Sequence, residues 1–241
     1  MKHLIFYIFT LFFVLIGCNN SNSEVPKVSY DAKEKNKKQK AQEDTTKIDI
    51  ADLPIHFQGT DVLIFPLGKV QLSKNYKLST SESYENAGST NFKISNNIDN
   101  EITGFMTNIK FQKLGQDSLT ALSKDKLFIQ SATYLKEIAP RSKLQLLVYV
   151  LEDADTIKDG AVDQDDINTL YISDIQGKNL TKLSANLEEL IDWNLVPSAN
   201  RLYFRTIEDT NKNGKFDKGD AVHYQYVNVL DKTLKVVRYV I

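Results

Sequence analysis

A pattern that occurs twice constrains this chain more than any single residue does. "LTALS" from Leu119 returns as "LTKLS" from Leu180. "YLKEIAPRSKLQLLVYVLED" is echoed by "WNLVPSANRLYFRTIED", with Pro140 matching Pro197 and the two runs ending at Asp153 and Asp209. Each copy continues into an acidic loop, "DADTIKDGAVDQDD" or "DTNKNGKFDKGD", and then into a further apolar run. The runs "DVLIFPLGKV", "EITGFMTNIKF", "KLQLLVYVL", "NTLYISDI", "RLYFRTI", "AVHYQYVNVL" and "TLKVVRYVI" mix β-branched and aromatic residues, the composition of strands. The repeating unit is therefore strand, turn, strand, acidic loop, strand, turn, strand: a meander of about 60 residues that must bury its apolar face on a neighbour.

Two segments fit helical spacing as well. "DKLFIQSATYLKEI" places Phe128, Ala132, Leu135 and Ala139 on one helical face, and "NLEELIDWNL" is equally ambiguous. Their place in the repeat favours strands. In "VHYQYVNVL" the alternation puts Val222, Tyr224 and Tyr226 on one face and His223 and Gln225 on the other, as burial with a period of two expects.

"LYISDIQGKNLTKLS" resembles the tail of a blade in TolB-type β-propellers, where an "LY…D" strand, a Gly hairpin and "N…LT" follow one another. "WNLVPSANRLYF" is similar to the opening of the next blade. The resemblance spans roughly residues 119–241 and implies an all-β fold of four-stranded, propeller-like blades and a binding platform. The span from 51 onward holds about three such units, fewer than the four to eight of closed propellers. An open blade stack, a propeller-like sheet assembly and part of an oligomer are all compatible with that number. Residues 51–118 contain no clear third copy and read as an N-terminal β region, ahead of the two blade-like repeats of 119–241.

The second loop has the spacing of an EF-hand calcium loop. Such a loop needs oxygen ligands at positions 1, 3, 5 and 9, a carbonyl at 7, a bend at 6 and an acidic residue at 12. Asp209, Asn211, Asn213, Asp217 and Asp220 supply the side chains, Lys215 the backbone carbonyl, Gly214 the bend, and Phe216 an apolar anchor at position 8. Asp220 stands where such loops carry Glu, as in dockerin-like loops. The first loop is degenerate. Starting at Asp155 it offers Asp159, Asp163 and Asp166 but places Ile157 at position 3; starting at Asp153 restores Asp155 as a ligand at the cost of an insertion. Asp and Asn also dominate ordinary turns. The expected cofactor is a structural Ca2+ in the second loop, with a weaker site in the first. Strands flank both loops, which argues against the opening of helix pairs in a calcium sensor.

The N-terminus supplies an address. Lys2 and His3 precede the apolar run Leu4–Ile16, too short for a spanning helix of about 20 residues but suited to the core of a signal peptide. Leu15-Ile16-Gly17-Cys18 resembles the lipobox of bacterial lipoproteins, which implies cleavage before Cys18 and acylation of that residue with palmitate-type chains. Cys18 is the chain's single cysteine, so disulfides, cysteine zinc sites and thiol nucleophiles are excluded. Multiple acyl chains attach a protein stably to a membrane. Asn19 points, by analogy with enteric sorting, to the outer membrane. The organisation expected is a signal peptide over 1–17 and a lipidated cysteine with a disordered polar tether over 18–50, since "KEKNKKQKAQEDTTK" has almost nothing to bury.

The formal charge of −1 carries no nucleic-acid footprint. No H-E-x-x-H, G-x-S-x-G or Gly-rich phosphate loop is present. His56 and His223 are the histidines beyond the signal, and no catalytic residue is assigned. Trp193 reads as a core or inter-blade residue. Pairs such as Glu188-Glu189 and Asp165-Asp166 are too common to signal glycoside hydrolysis without a known separation. The leading expectation is a non-enzymatic, membrane-anchored envelope lipoprotein that binds or assembles an envelope protein or glycan. The alternatives are an envelope hydrolase or its accessory domain, and a purely structural envelope protein. A flat aromatic face or bare blade edge favours binding; a polar pocket with histidine beside carboxylates favours an enzyme.

Overall fold

The computed structural model describes residues 26–30, 47–72, 78–80 and 93–241. The first strands are β1 (Lys47–Ala51), β2 (Ile55–His56), β3 (Val62–Leu72), β4 (Leu78–Thr80), β5 (Ser95–Ile98), β6 (Glu101–Met106), β7 (Asn108–Lys113) and β8 (Leu119–Ala121). β9 (Phe128–Tyr134), β10 (Leu146–Glu152), β11 (Thr169–Asp174) and β12 (Thr181–Lys182) follow. β13 (Glu188–Val196), β14 (Arg201–Glu208), β15 (Ala221–Asn228) and β16 (Val236–Tyr239) complete the chain. All pair antiparallel. The first sheet runs β1-β3-β7-β8, with β2 and β4 also on β3; the second runs β12-β11-β10-β9-β6-β5; the third is the meander β13-β14-β15-β16.

The two repeats become two successive meanders, β9 to β12 and β13 to β16. Matching prolines make matching turns: Pro140 enters the single-turn helix Ala139–Ser142, capped by Lys143 at φ 61°, and Pro197 opens a 3-10 turn, capped by Asn200 at φ 53°. The "LT-x-LS" element closes a sheet each time. Leu122 N donates to Ile109 O and Leu183 N to Leu170 O, both at 2.8 Å. The two segments with helical spacing are strands β9 and β13, each bulged against its partner. Burial against neighbouring sheets outweighs their helical periodicity.

The second sheet is a middle layer. Leu147, Tyr149 and Leu151 of β10 enter a core shared with Ile64, Ile109 and Phe111 of the first sheet. Val148 of the same strand enters a core with Leu202, Phe204 and Val227 of the third. A strand buried on both faces must be apolar at consecutive positions, which is why "LLVYVL" does not alternate. The result is an all-β, propeller-like stack of sheets that does not close.

In β15 the alternation read from the sequence holds, but its faces are reversed. Gln225 and Val227 are the buried residues, while Tyr224, Tyr226 and Val222 face outward. The inner face tolerates Gln225 because its Nε2 donates to Thr206 Oγ1 at 2.8 Å. Two stretches read as tether are packed: Lys47–Ile50 pair with β3 in β1, and Val28 is buried at 3% exposure. The ordered structure therefore starts before residue 51. The signal peptide and Cys18 lie outside the described residues.

Candidate functional site

The two acidic loops share one hydrogen-bond frame. In the second, between β14 and β15, Asp209 accepts from Asn213 N (3.1 Å) and Gly214 N (2.7 Å), and Asp220 accepts from Thr210 N (3.0 Å) and Asp217 N (2.8 Å). In the first, between β10 and β11, Asp155 accepts from Asp159 N (3.0 Å) and Gly160 N (2.8 Å), and Asp166 accepts from Thr156 N (2.5 Å) and Asp163 N (3.0 Å). Lys158 and Lys212 have φ of 61° and 57°, and the glycines that follow have 101° and 83°. The first loop therefore begins at Asp155. Asp153 lies outside its frame: its Oδ2 takes the Lys182 ammonium and the Tyr171 hydroxyl, both at 2.6 Å.

The expected ligand side chains are largely engaged by their own loops. Asn211 Oδ1 accepts from Asn213 N, Asn213 Oδ1 from Lys215 N, and Asp217 Oδ1 from Gly219 N. Asn213 Nδ2 donates to Asp217 Oδ2 at 3.2 Å. Asp159 Oδ1 accepts from Ala161 N and Asp163 Oδ1 from Asp165 N. A carboxylate oxygen keeps further lone pairs for a cation. Asp209, Asn211, Asn213, Asp217 and Asp220 are thus the residues whose oxygens would hold a Ca2+ in the second loop. The first loop fits it less well, because Ile157 stands where the second loop has Asn211 and the last carboxylate, Asp166, is fully buried.

A short segment joins the loops. Lys27 N and Val28 N donate to Gly214 O at 2.8 and 3.2 Å, Ser29 N donates to Thr156 O at 2.8 Å, and Thr156 Oγ1 donates to Lys27 O at 2.9 Å. Lys27 Nζ reaches the Gln164 and Asp166 carbonyls at 3.2 and 3.1 Å. Tyr30 bonds Asp209; burial and that carboxylate push its phenol up to about 12. Gly214 combines φ +83° with a Cβ position that would meet Val28 O and Pro26, so only glycine serves both loop and strap. Charged flanks in the sequence hid this segment; its cue was the small apolar core of "PKVSY".

A polar cluster lies beneath each loop. Under the first, Gln130 Nε2 donates to Glu152 Oε1 (2.5 Å) and Asn168 Oδ1 (2.7 Å), and Asn168 Nδ2 donates to Glu189 Oε1 (2.7 Å). Glu152 is fully buried, and its Oε2 has no partner among the described residues. Burial pushes its carboxyl up to about 8, against the bond from Gln130.

Under the second loop, three strands bring acid and base together. His223 Nε2 lies 2.7 Å from Glu208 Oε2 and 3.8 Å from Glu188 Oε1. Arg238 Nη2 donates to Glu188 Oε1 at 2.8 Å, and Thr206 Oγ1 donates to Glu188 Oε2 at 2.5 Å. Among the described residues, Glu188, Glu208 and His223 form a group able to hold a metal ion, with one ligand atom each mutually within 4.8 Å. Among the described residues the loop carboxylates form no such group. A cleft of about 320 Å³ opens on His223 and Arg238. The sequence offered Glu188 only as half of a common acidic pair; its register opposite Glu208 was not visible there.

The outer face of the third sheet is aromatic. Tyr203 packs against Tyr226 and Tyr239 with centroids 5.4 and 5.7 Å apart, and Tyr224 against Tyr239 at 6.0 Å. Arg201 stacks 4.2 Å over Tyr226, and Arg205 forms a two-point ion pair with Asp192. Trp193, on the inner face, packs on the second core.

No family model matches this chain, and no curated protein matches it. Among solved structures, that of "putative TolB from Agrobacterium tumefaciens" is similar over 79% of this chain and 80% of its own, at 10% identity and a TM-score of 0.22. At that score the likeness carries no argument, and the fold rests on the strand pairing. No helix among the described residues is long and apolar enough to cross a membrane.

Proposed function

We propose that this chain is a non-enzymatic lipoprotein of the bacterial cell envelope, anchored through Cys18 to the outer membrane, whose propeller-like stack binds or assembles an envelope protein. The observation that carries this reading is the outer face of the third sheet. Tyr203, Tyr224, Tyr226 and Tyr239, with Arg201 and Arg205, form one patch on a sheet that, among the described residues, packs through its other side. Tyrosine and arginine are enriched among the residues that dominate interface energetics, tyrosine because it buries much area at little entropic cost and arginine because its planar fork both stacks and pairs. Calcium in the Asp209–Asp220 loop stabilises the hairpin beside that face; a ligand that binds only the folded state shifts stability by mass action.

The test is crosslinking and pull-down from intact cells, with and without a chelator. Wild type is expected to capture one partner, and the double variant Tyr203→Ser/Tyr226→Ser, still folded, is expected to lose it. Capture unchanged by that variant would overturn the binding reading. Cys18→Ser is expected to abolish palmitate labelling and move the protein to the soluble fraction; membrane retention would overturn the anchor.

An envelope hydrolase remains the second reading, favoured by His223 beside Glu208 and Glu188 at an open cleft. An activity lost in His223→Ala and untouched by the tyrosine variants would establish it instead.

A further inference from the structure

We infer that Glu188, Glu208 and His223 form a binding site for a Zn2+-class divalent ion, separate from the acidic loops. The three ligands come from three adjacent strands at the loop end of the third sheet. Glu188 of β13 stands opposite Glu208 of β14, and His223 of β15 lies diagonal to Glu208, its own register partner being Thr206. Diagonal neighbours on one sheet face are within reach of long side chains. Tetrahedral zinc, with bonds of about 2.0 Å, holds two ligand atoms about 3.3 Å apart. The His223 separations of 2.7 Å to Glu208 and 3.8 Å to Glu188 straddle that value, so small rotamer shifts bring all three onto one ion.

The donor set selects the metal class. One imidazole and two carboxylates suit Zn2+ or Co2+, whereas Ca2+ needs six to eight oxygens, about twice the donors present here. Three protein ligands leave a fourth position open, and the cleft lined by His223 and Arg238 supplies an entry path. Glu188 is held from behind as ligating carboxylates are: Thr206 donates to its Oε2, and Gln225 donates to Thr206 at 2.8 Å, all three buried.

Arg238 is the built-in competitor. Its guanidinium sits 2.8 Å from Glu188 Oε1, the atom an ion requires, on a side chain that is 55% exposed. An arriving ion displaces it into solvent, so part of the intrinsic affinity offsets the lost ion pair. Removing Arg238 must therefore tighten metal binding. A purely structural ion-pair cluster has no reason to behave that way.

The experiment is a Co2+ titration of the chelator-treated protein, read by visible d–d absorption, followed by competition with Zn2+. Wild type is expected to develop the bands of a four- or five-coordinate centre that Zn2+ abolishes. Glu188→Gln and His223→Ala are expected to weaken binding about tenfold or more, and Arg238→Gln to tighten it several-fold. Asp155→Asn, in the first loop, leaves it unchanged. Should Glu188→Gln unfold, the partly exposed His223→Ala carries the test. The absence of d–d bands in wild type, an affinity for Co2+ unchanged in His223→Ala, or an Arg238→Gln variant that binds no more tightly would each overturn the site.

Discussion

The two acidic loops have the same backbone and opposite interiors. In Asp155–Asp166 the last carboxylate is fully buried and accepts from Thr156 N, Thr156 Oγ1, Ile157 N and Asp163 N. In Asp209–Asp220 it is half-exposed and accepts from Thr210 N and Asp217 N, while Asn211 and Asn213 replace Ile157 and Asp159. The difference teaches that an acidic loop can be held in either of two ways. The first satisfies its carboxylate with its own donors and buries the result. The second keeps oxygen side chains near water, where a cation can reach them.

The sharpest way to break that comparison is to remove the last carboxylate of each loop. Asp166→Ala empties a fully buried site, orphans four partly buried donors and is expected to cost about 4 kcal/mol, whereas Asp220→Ala costs about 1 kcal/mol. Chemical denaturation in calcium-free buffer measures both, and equal losses would erase the distinction. Calcium comes next. At a hundred times its dissociation constant it is expected to add about 2.7 kcal/mol. Asp209→Ala should abolish most of the accompanying rise in Tm, and Asp155→Ala should retain most of it. No shift at saturating calcium ends the calcium proposal.

A smaller effect probes what lies beneath the first loop. The Glu152 carboxyl is raised from 4.5 to about 8 by burial, so the folded state holds a proton that the unfolded chain releases. Its stabilisation is complete below pH 4.5 and is lost as pH rises through about 8. Glu152→Gln is expected to flatten that decline, by about 2 kcal/mol after discounting a shift worth about 1.4 kcal/mol per unit. Denaturation midpoints across that window test it, and parallel slopes in both proteins would refute it. The smallest effect is at the strap. Gly214→Ala, strained at φ +83° and crowded by Val28, is expected to cost about 1 kcal/mol. It should also expose Lys27 to trypsin, so cleavage no faster than in wild type would show the strap to be unimportant.

Local chemistry made much of this legible. Strand order in both repeats, the turns at Pro140 and Pro197, and the strand flanks of the loops followed from composition and spacing. The number of units was too small for a closed propeller, but it left an open stack, a propeller-like sheet assembly and part of an oligomer equally compatible. What stayed hidden depends on partners distant in the chain. The outward face of β15 could not be read, because Tyr224 and Tyr226 are more apolar than His223 and Gln225, the residues that alternate with them on the inner face. Gln225 and Thr206 satisfy each other across a register that periodicity does not encode. The cluster of Glu188, Glu208 and His223 joins residues from three strands for the same reason. Asp153 counted as a loop ligand by spacing alone; Lys182, on a strand two turns later, claims it.

The middle sheet carries a consequence for how the molecule can come apart. Val148, Leu170 and Ile172 face the third sheet, while Leu147, Tyr149 and Leu151 face the first. Removing either outer layer would strip solvent protection from an apolar surface on strands that still hold the other. The stack therefore has no seam along which half of it can open while the rest stays native. Amide exchange in β10 and β11 is expected to proceed only through global unfolding, with one rate for hydrogens on both strands, whereas the edges β4 and β16 exchange by local fraying.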